Sequence, residues 1–347
     1  MGLRERVATV AREGFASLRG AVLRTVLRLS GGRLAAGRRH DMSQSLCLPQ
    51  LLRSREQIVG MTSFGERAYC QWYAESIHAG DGAIVDLGCW LGSTTIPLAI
   101  GLERNRAPAA ASSRIHAFDL FRWDPAMDPY VRGTRVEGRF AEGDRFVDAF
   151  VEGLGRRRRW VDVYEADLSE TAWDGGPIEF LVVDAMKSWP LASNIVSGFF
   201  VALIPGQSLV FHQDFAHWYT PWIHLLQYRL RDSFELAYDI PRSDGAVFRL
   251  IRPLPPGLLS GAYDYDAFDA PEVEAAFDYS LRLSRPEKHP NIRAAKAKLF
   301  LEVGDRERAG AELARCRAEG ISFESDLRLV ASRLDEPRPA ARHRAER

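Results

Sequence analysis

Residues 83–95 of the chain read AIVDLGCWLGSTT, and the fold turns on this stretch. The run Ala83 to Leu87 fits a buried strand, Gly88 and Gly92 fit a turn, and Ser93 and Thr94 fit the start of a helix. Each part has a physical task. Gly88 lets the backbone turn against a ligand without a Cβ, and Gly92 lets the helix begin close to the strand. The first N–H groups of that helix, together with the Ser93 and Thr94 hydroxyls, suit a carboxylate. Asp86, at the strand's end, suits a positively charged ligand and repels a dinucleotide pyrophosphate. A nicotinamide site would also show a G-x-G-x-x-G turn, which the chain lacks.

Similar short apolar runs follow at 115–119 (IHAFD), 160–165 (WVDVYE), 179–184 (EFLVVD) and 207–212 (QSLVFH), separated by longer helix-compatible stretches. This alternation predicts a parallel sheet with helices on both faces. Two more runs, 233–240 (SFELAYDI) and 246–251 (AVFRLI), are joined by Pro241-Arg242-Ser243-Asp244-Gly245. So short a link requires an antiparallel hairpin. The expected fold is therefore α/β, a doubly wound, mostly parallel seven-stranded sheet with helical additions at both ends.

The predicted divisions are a basic amphipathic helix and linker over 1–40, helical cover over 41–80, the sheet domain over 81–256, a helical segment over 257–334 and a disordered tail over 335–347. Prolines at 253, 255 and 256 end the sheet, because proline cannot donate to a ladder. Within the helical segment, two helices around Gly304-Asp305 carry Ala295, Leu299, Ala309 and Leu313 at the spacing of one tetratricopeptide-type hairpin. A single copy makes no solenoid, so packing or a homodimer contact is the expected use.

Composition limits the partners. The chain has 347 residues, with 46 basic and 46 acidic side chains that cancel. That balance argues against a protein built as a whole for nucleic acid. Arg156 to Arg159 read as a solvated loop. Cys47, Cys70, Cys89 and Cys316 lie far apart without C-x-x-C pairing, so neither a zinc knuckle nor a disulfide framework is indicated, and a cytoplasmic setting fits. In the first forty residues Leu3, Val7, Val10, Phe15, Leu18, Val22, Val26 and Leu29 form an apolar stripe among arginines. Such a stripe serves either peripheral contact with an anionic membrane or docking on protein, and both remain open.

The segment Asp86 to Thr94 resembles the D/E-x-G-x-x-x-G-x-S/T signature of class I S-adenosylmethionine-dependent methyltransferases of the catechol O-methyltransferase and macrocin O-methyltransferase type. Phe118-Asp119-Leu120-Phe121 is similar to the F-D-x-F segment of the macrocin-type enzymes, and Asp184-Ala185-Met186-Lys187 to the D-x-x-K segment of the catechol type. The resemblance covers roughly residues 80–252. It implies S-adenosylmethionine held by Asp86, Gly88, Cys89, Gly92, Ser93 and Thr94, with Asp119 and Leu120 at the ribose, Asp167 at the adenine, and Asp184 nearby.

It further implies that Asp184 binds a divalent metal and that Lys187 takes the acceptor's proton. Where those families carry D-D or D-N, this chain has Gln213-Asp214, so Mg²⁺ would be held by Asp184, Gln213 and Asp214 with one negative ligand fewer. His212 is an alternative base or ligand; read alone, it is equally a strand-end histidine satisfied by the backbone. Asp119 and Asp167 also have bland readings, as a turn residue and a helix cap. The aromatic loop Trp218-Tyr219-Thr220-Pro221-Trp222 lies where an acceptor would enter, and fits either a core or a substrate wall. The implied activity is O-methylation of a small molecule or glycan. The competing reading is a catalytically idle module that keeps the fold as a scaffold.

Overall fold

The structure is a computed structural model and describes residues 42, 45, 49–51, 58–259, 261, 263–323 and 326–335. The basic N-terminal stripe, Cys47 and the tail beyond 335 lie outside these residues. The first helix, α1 (Phe64–Trp72), opens on a reciprocal cap: the Ser63 hydroxyl accepts from the Glu66 N–H at 3.2 Å, and Glu66 accepts from the Ser63 N–H at 2.5 Å.

The alternating core then follows as β1 (Ala83–Leu87), α2 (Thr95–Leu102), β2 (Ile115–Asp119), α3 (Val147–Leu154), β3 (Val161–Glu165), β4 (Ile178–Val183), α4 (Trp189–Gly198), β5 (Leu209–His212), α5 (Pro221–Arg229), β6 (Phe234–Asp239) and β7 (Ala246–Leu250). The seven strands form one sheet in the order β3-β2-β1-β4-β5-β7-β6. All pairings are parallel except those of β7, which runs antiparallel to both β5 and β6. This is the expected doubly wound, seven-stranded sheet, and it is the Rossmann-like methyltransferase fold that the resemblance implies.

Side chains alternate between the two faces of the sheet, as the two-residue strand period demands. Ile84, Phe180 and Phe211 pack on one side with Tyr69, Ile100 and Phe150. Val85, Leu87, Leu181, Val183 and Phe248 pack on the other with Ile195 and Leu225. One expectation fails. The stretch between β3 and β4 was read as helix-compatible, but it contains no helix. Asp167 closes a turn by accepting from both the N–H and the hydroxyl of Ser169, at 2.8 and 2.7 Å, and Gly176 with φ +88° breaks any continuation before Pro177.

The C-terminal helices α6 (Ala270–Leu283), α7 (His289–Glu302), α8 (Arg306–Ala318) and α9 (Asp326–Asp335) include the hairpin predicted around Gly304-Asp305. Val273, Phe277, Ile292, Ala295 and Leu299 share the core of the second sheet face, so these helices complete that layer. The buried Lys288 ammonium fastens the seam, bonding Asp239 and, at 2.7 Å, the Gly245 carbonyl.

In the same layer His212 and His224 are buried, and His224 meets the Ser280 hydroxyl at 2.9 Å. Burial pushes His212 down to about 4 and His224 down to about 3. Both sit below the unfolded value of about 6.5, so the unfolded chain binds more protons and stability is lost as pH falls from there towards 4. The contribution of these two histidines to the thermal midpoint is expected to hold above neutrality and to fall through that window, against the opposite contribution of the raised Asp86, so the comparison with a histidine variant reads it. His224→Leu should shrink the slope, because Ser280 keeps its own bond to the Ala276 carbonyl.

Candidate functional site

The strand order reverses between the parallel neighbours β1 and β4, and in such sheets ligands bind beyond the carboxyl ends of the strands at that point. Asp86 lies there on β1, with no exposed surface. Its Oδ2 accepts from the Thr94 hydroxyl at 2.8 Å and from the Thr95 hydroxyl at 2.6 Å, while Oδ1 is buried without a partner. Burial pushes its pKa up to about 6, against the pull of the two hydroxyls. The Thr94 hydroxyl is thus turned onto Asp86, where the sequence reading had aimed it at a ligand. Thr95, which that reading passed over, does the same work. The helix begins only at Thr95, and Thr94 caps it without a side-chain bond.

Gly88 adopts φ +84°, and a Cβ there would stand 3.0 Å from the backbone carbonyl of Asp184. The glycine is what lets the ends of β1 and β4 close together. Gly92, at φ +89°, lies against Ile96 and Phe150, so its task is the left-handed turn and helix packing. Cys89 is buried, and burial pushes its thiol up, which makes it a lining residue of low reactivity.

Asp119 closes the other side of the turn. Its carboxylate accepts from the Trp90 N–H at 2.8 Å and the Phe121 N–H at 2.7 Å, which orients both oxygens and leaves each a further lone pair. Leu120 beside it is 52% exposed, a large apolar side chain at the rim. Asp167 is exposed and committed to Ser169. The Ala166 N–H donates to the Asp119 carbonyl at 2.9 Å and so brings Asp167 near the same rim.

Sequence reasoning missed the strap at 58–63. A Cβ on Gly60 would fall 2.2 Å from Ser93 Cβ, and the Thr62 hydroxyl donates to the Ser93 carbonyl at 3.3 Å. Arg67 pins the strap, donating to the Ile58 and Gly60 carbonyls at 3.1 and 3.0 Å and to the Thr62 hydroxyl at 2.8 Å. Only the cap pattern Ser63-x-x-Glu66 hinted that a helix starts here; the contact with Ser93 spans a separation no local pattern records.

Across the Gly88 contact lies an acidic edge. The Lys187 ammonium bonds Asp184 at 2.7 Å and also bonds Asp214. Desolvation of its partly exposed side chain works against its charge, but the attraction of Asp184 and Asp214 and the bonds to both outweigh it and raise its pKa. Lys187, expected to take the acceptor's proton, stands here as an ammonium bonded to both acids. His212, expected as an alternative base or ligand, is enclosed. It points into the layer between Phe200 and Phe248, at ring distances of 6.2 and 5.9 Å, and burial leaves it a weak, inaccessible base.

Gln213 is buried, its Oε1 without a partner, and its N–H donates to the Val183 carbonyl at 3.1 Å. Among the described residues, no three His, Cys, Asp or Glu side chains gather as metal ligands. The aromatic loop is largely spent on packing. Trp222 is buried and donates to the Met186 carbonyl at 2.7 Å, and Trp218 packs with the C-terminal helices, leaving Tyr219 40% exposed. Arg156, Arg157 and Arg159 gather around Glu103 at 3.5 to 3.7 Å, which ties the arginine run to the fold.

No protein-family model matches the chain, and neither does any curated protein. Among solved structures it is similar to CalS11, a TDP-rhamnose 3'-O-methyltransferase of calicheamicin biosynthesis, with 15% identity over 60% of this chain and 89% of that one, at a TM-score of 0.41. It is similar also to a TehB-like SAM-dependent methyltransferase from Corynebacterium glutamicum, with 14% identity over 58% and 92%, at 0.33. The 23S rRNA methyltransferase ErmE matches with 16% identity over 80% and 100%, again at 0.33.

Gly88→Ala is expected to destabilise the protein by about 1–3 kcal/mol. The strain of φ +84° adds to the contact with the Asp184 carbonyl, and chemical denaturation should read the loss.

Proposed function

We propose that this chain is an S-adenosylmethionine-dependent methyltransferase that acts on a hydroxyl of a small molecule or glycan. The observation that carries the reading is the buried Asp86 carboxylate, with one oxygen lacking any donor, beneath a left-handed glycine turn. A buried carboxylate oxygen without a partner is costly. A cationic ammonium removes that cost, and a pyrophosphate would increase it.

The donor set fits the cofactor end by end. Asp86 would answer its ammonium, either directly or through water. The turn Gly88 to Ser93 would pass along its amino-acid portion. Asp119, already oriented by two N–H donors, would accept from the ribose hydroxyls, with Leu120 and Asp167 at the rim towards the base. Asp184 would stand between cofactor and acceptor. When bound, the cofactor supplies a methyl group on a sulfonium, and the chain's part is mainly orientation and management of one proton. The groups at the edge able to take that proton are the Asp184 and Asp214 carboxylates, since Lys187 is held charged between them. Its ammonium in turn stabilises negative charge growing on the acceptor oxygen.

A cofactor-binding scaffold without turnover is the second reading. It is favoured by the polar commitments of the edge, where Lys187 and both aspartates already satisfy one another.

Calorimetric titration with S-adenosylmethionine and S-adenosylhomocysteine tests the cofactor. Asp86 titrates near 6 in the free protein, and its ionised form is the one that attracts an ammonium. Affinity should therefore rise as pH climbs through that value. Asp86→Asn should flatten the profile and weaken binding by about tenfold or more, equivalent to about 1.4 kcal/mol. Asp119→Asn should weaken binding and keep a pH dependence, displaced to lower pH because the Asp119 charge helps to raise Asp86, and NADH should not bind. Failure of both sulfur nucleosides to bind at neutral pH would reject the assignment; binding without transfer to any hydroxyl acceptor would select the scaffold.

A further inference from the structure

We infer that the Lys187 ammonium is the resident cation of the acidic edge and occupies the place that a divalent metal takes in enzymes of the catechol type, so that this chain holds no divalent metal between Asp184 and Asp214. The inference deepens the proposed function and rests on it for the identity of the edge as the acceptor site.

The ground is the position of the lysine itself. One ammonium touches both carboxylates that would be the anionic ligands of a metal. It is also held there by the backbone. Ala185 and Met186 are buried, the Met186 carbonyl accepts from the Trp222 indole at 2.7 Å, and the Lys187 N–H donates back to the Ala185 carbonyl at 2.8 Å. Immediately afterwards Ser188 caps α4, its hydroxyl accepting from the Leu191 N–H at 3.4 Å. The loop 184–188 is thus anchored on both sides of the lysine, which fixes where the side chain starts.

The remaining donor set points the same way. A small divalent ion prefers hard anionic oxygens in a near-octahedral arrangement. Here the third position is Gln213, a neutral amide where those families carry a carboxylate. With the ammonium in place, one of the two carboxylate charges is already offset, and an incoming dication would meet like charge within the same shell. For the chemistry, an ammonium keeps the essential service of the metal, a positive charge beside the acceptor oxygen, and gives up bidentate chelation of neighbouring hydroxyls. That matches an acceptor presenting one hydroxyl at a time more closely than a vicinal diol held by both oxygens.

The test is Mn²⁺ binding to the full chain by electron paramagnetic resonance, alongside methyl transfer with and without a chelator. The wild-type protein should leave the free Mn²⁺ signal intact. Lys187→Ala should open the two carboxylates and bind Mn²⁺ at least tenfold more tightly than wild type, and the double variant Lys187→Ala/Asp214→Asn should lose that gain. Lys187→Arg, which keeps the charge, should continue to exclude the ion. A circular dichroism spectrum and thermal midpoint like those of the wild type certify that each variant is folded.

Mn²⁺ binding to the wild type that disappears in Asp214→Asn would overturn the inference, as would wild-type transfer abolished by chelator and restored by Mg²⁺. A folded Lys187→Ala protein that still binds no Mn²⁺ would also overturn it, because the lysine would then not be holding a metal's place. The metal measurement is independent of turnover, so a protein that never transfers a methyl group would defeat the proposed function and leave this result standing on its own.

Discussion

A carboxylate with no exposed surface, served by two threonine hydroxyls and left with one bare oxygen, is the constraint around which this molecule is arranged. Keeping a charge so deep is unfavourable unless something beyond the fold completes its shell. The local sequence is built to tolerate the charge without completing that shell. Thr94 and Thr95 enter the helix side by side so that both hydroxyls reach back to Asp86. Gly88 gives up a Cβ so that β1 and β4 can converge beside it. Asp119, one strand away, holds the Trp90 N–H and so keeps the turn open. Residues that fold the turn and residues that would meet a ligand are therefore largely the same residues.

The C-terminal helices show how little of such a molecule is ornament. Read as sequence they form an addition beyond the sheet, and as structure they close its second hydrophobic layer. The seam is fastened by a buried ion pair, Lys288 with Asp239, supported by the Gly245 carbonyl at the end of the hairpin link. A buried pair is weak ground for net stability but strong ground for a unique register, because losing either partner strands a charge in the core. The hairpin β6–β7, the aromatic loop after β5 and helix α7 are thereby fixed relative to one another. Lys298 adds to this by lying 4.4 Å from the Tyr219 ring.

The fold was legible from the sequence because it depends on period and punctuation. Short apolar runs, a turn marked by Gly88 and Gly92, and a link too short for a crossover all act within a few residues, and their consequences are local. The missing helix between β3 and β4 was illegible for the converse reason. Asp167 is equally suited to start a helix or to close a turn, and only the bond to Ser169 decides. The site was half legible. Asp86 and Asp119 follow from strand ends, but Thr95 looks like any first residue of a helix, and the strap at Gly60 declares itself only when folded against Ser93. What His212 and Lys187 can do depends on their surroundings. One is sealed between phenylalanine rings and the other is claimed by two acids, and neither circumstance is written in the neighbouring residues.

The two halves of the edge are joined through a single backbone contact. Gly88 belongs to the turn beneath which Asp86 is buried, and Asp184 to the loop whose lysine draws the second aspartate inward. Because the Asp184 N–H donates to the Leu87 carbonyl at 2.9 Å, the loop cannot move without carrying the turn with it. The in-line transfer proposed for this site would demand that donor and acceptor be held within a fraction of an ångström of one another, and side chains on separate flexible loops do not provide that. Here the reference between the two is main chain against main chain, locked by strand pairing on one side and by the Trp222 indole on the other. Distance along the chain, nearly a hundred residues, is thereby converted into the shortest and stiffest connection that a parallel sheet offers.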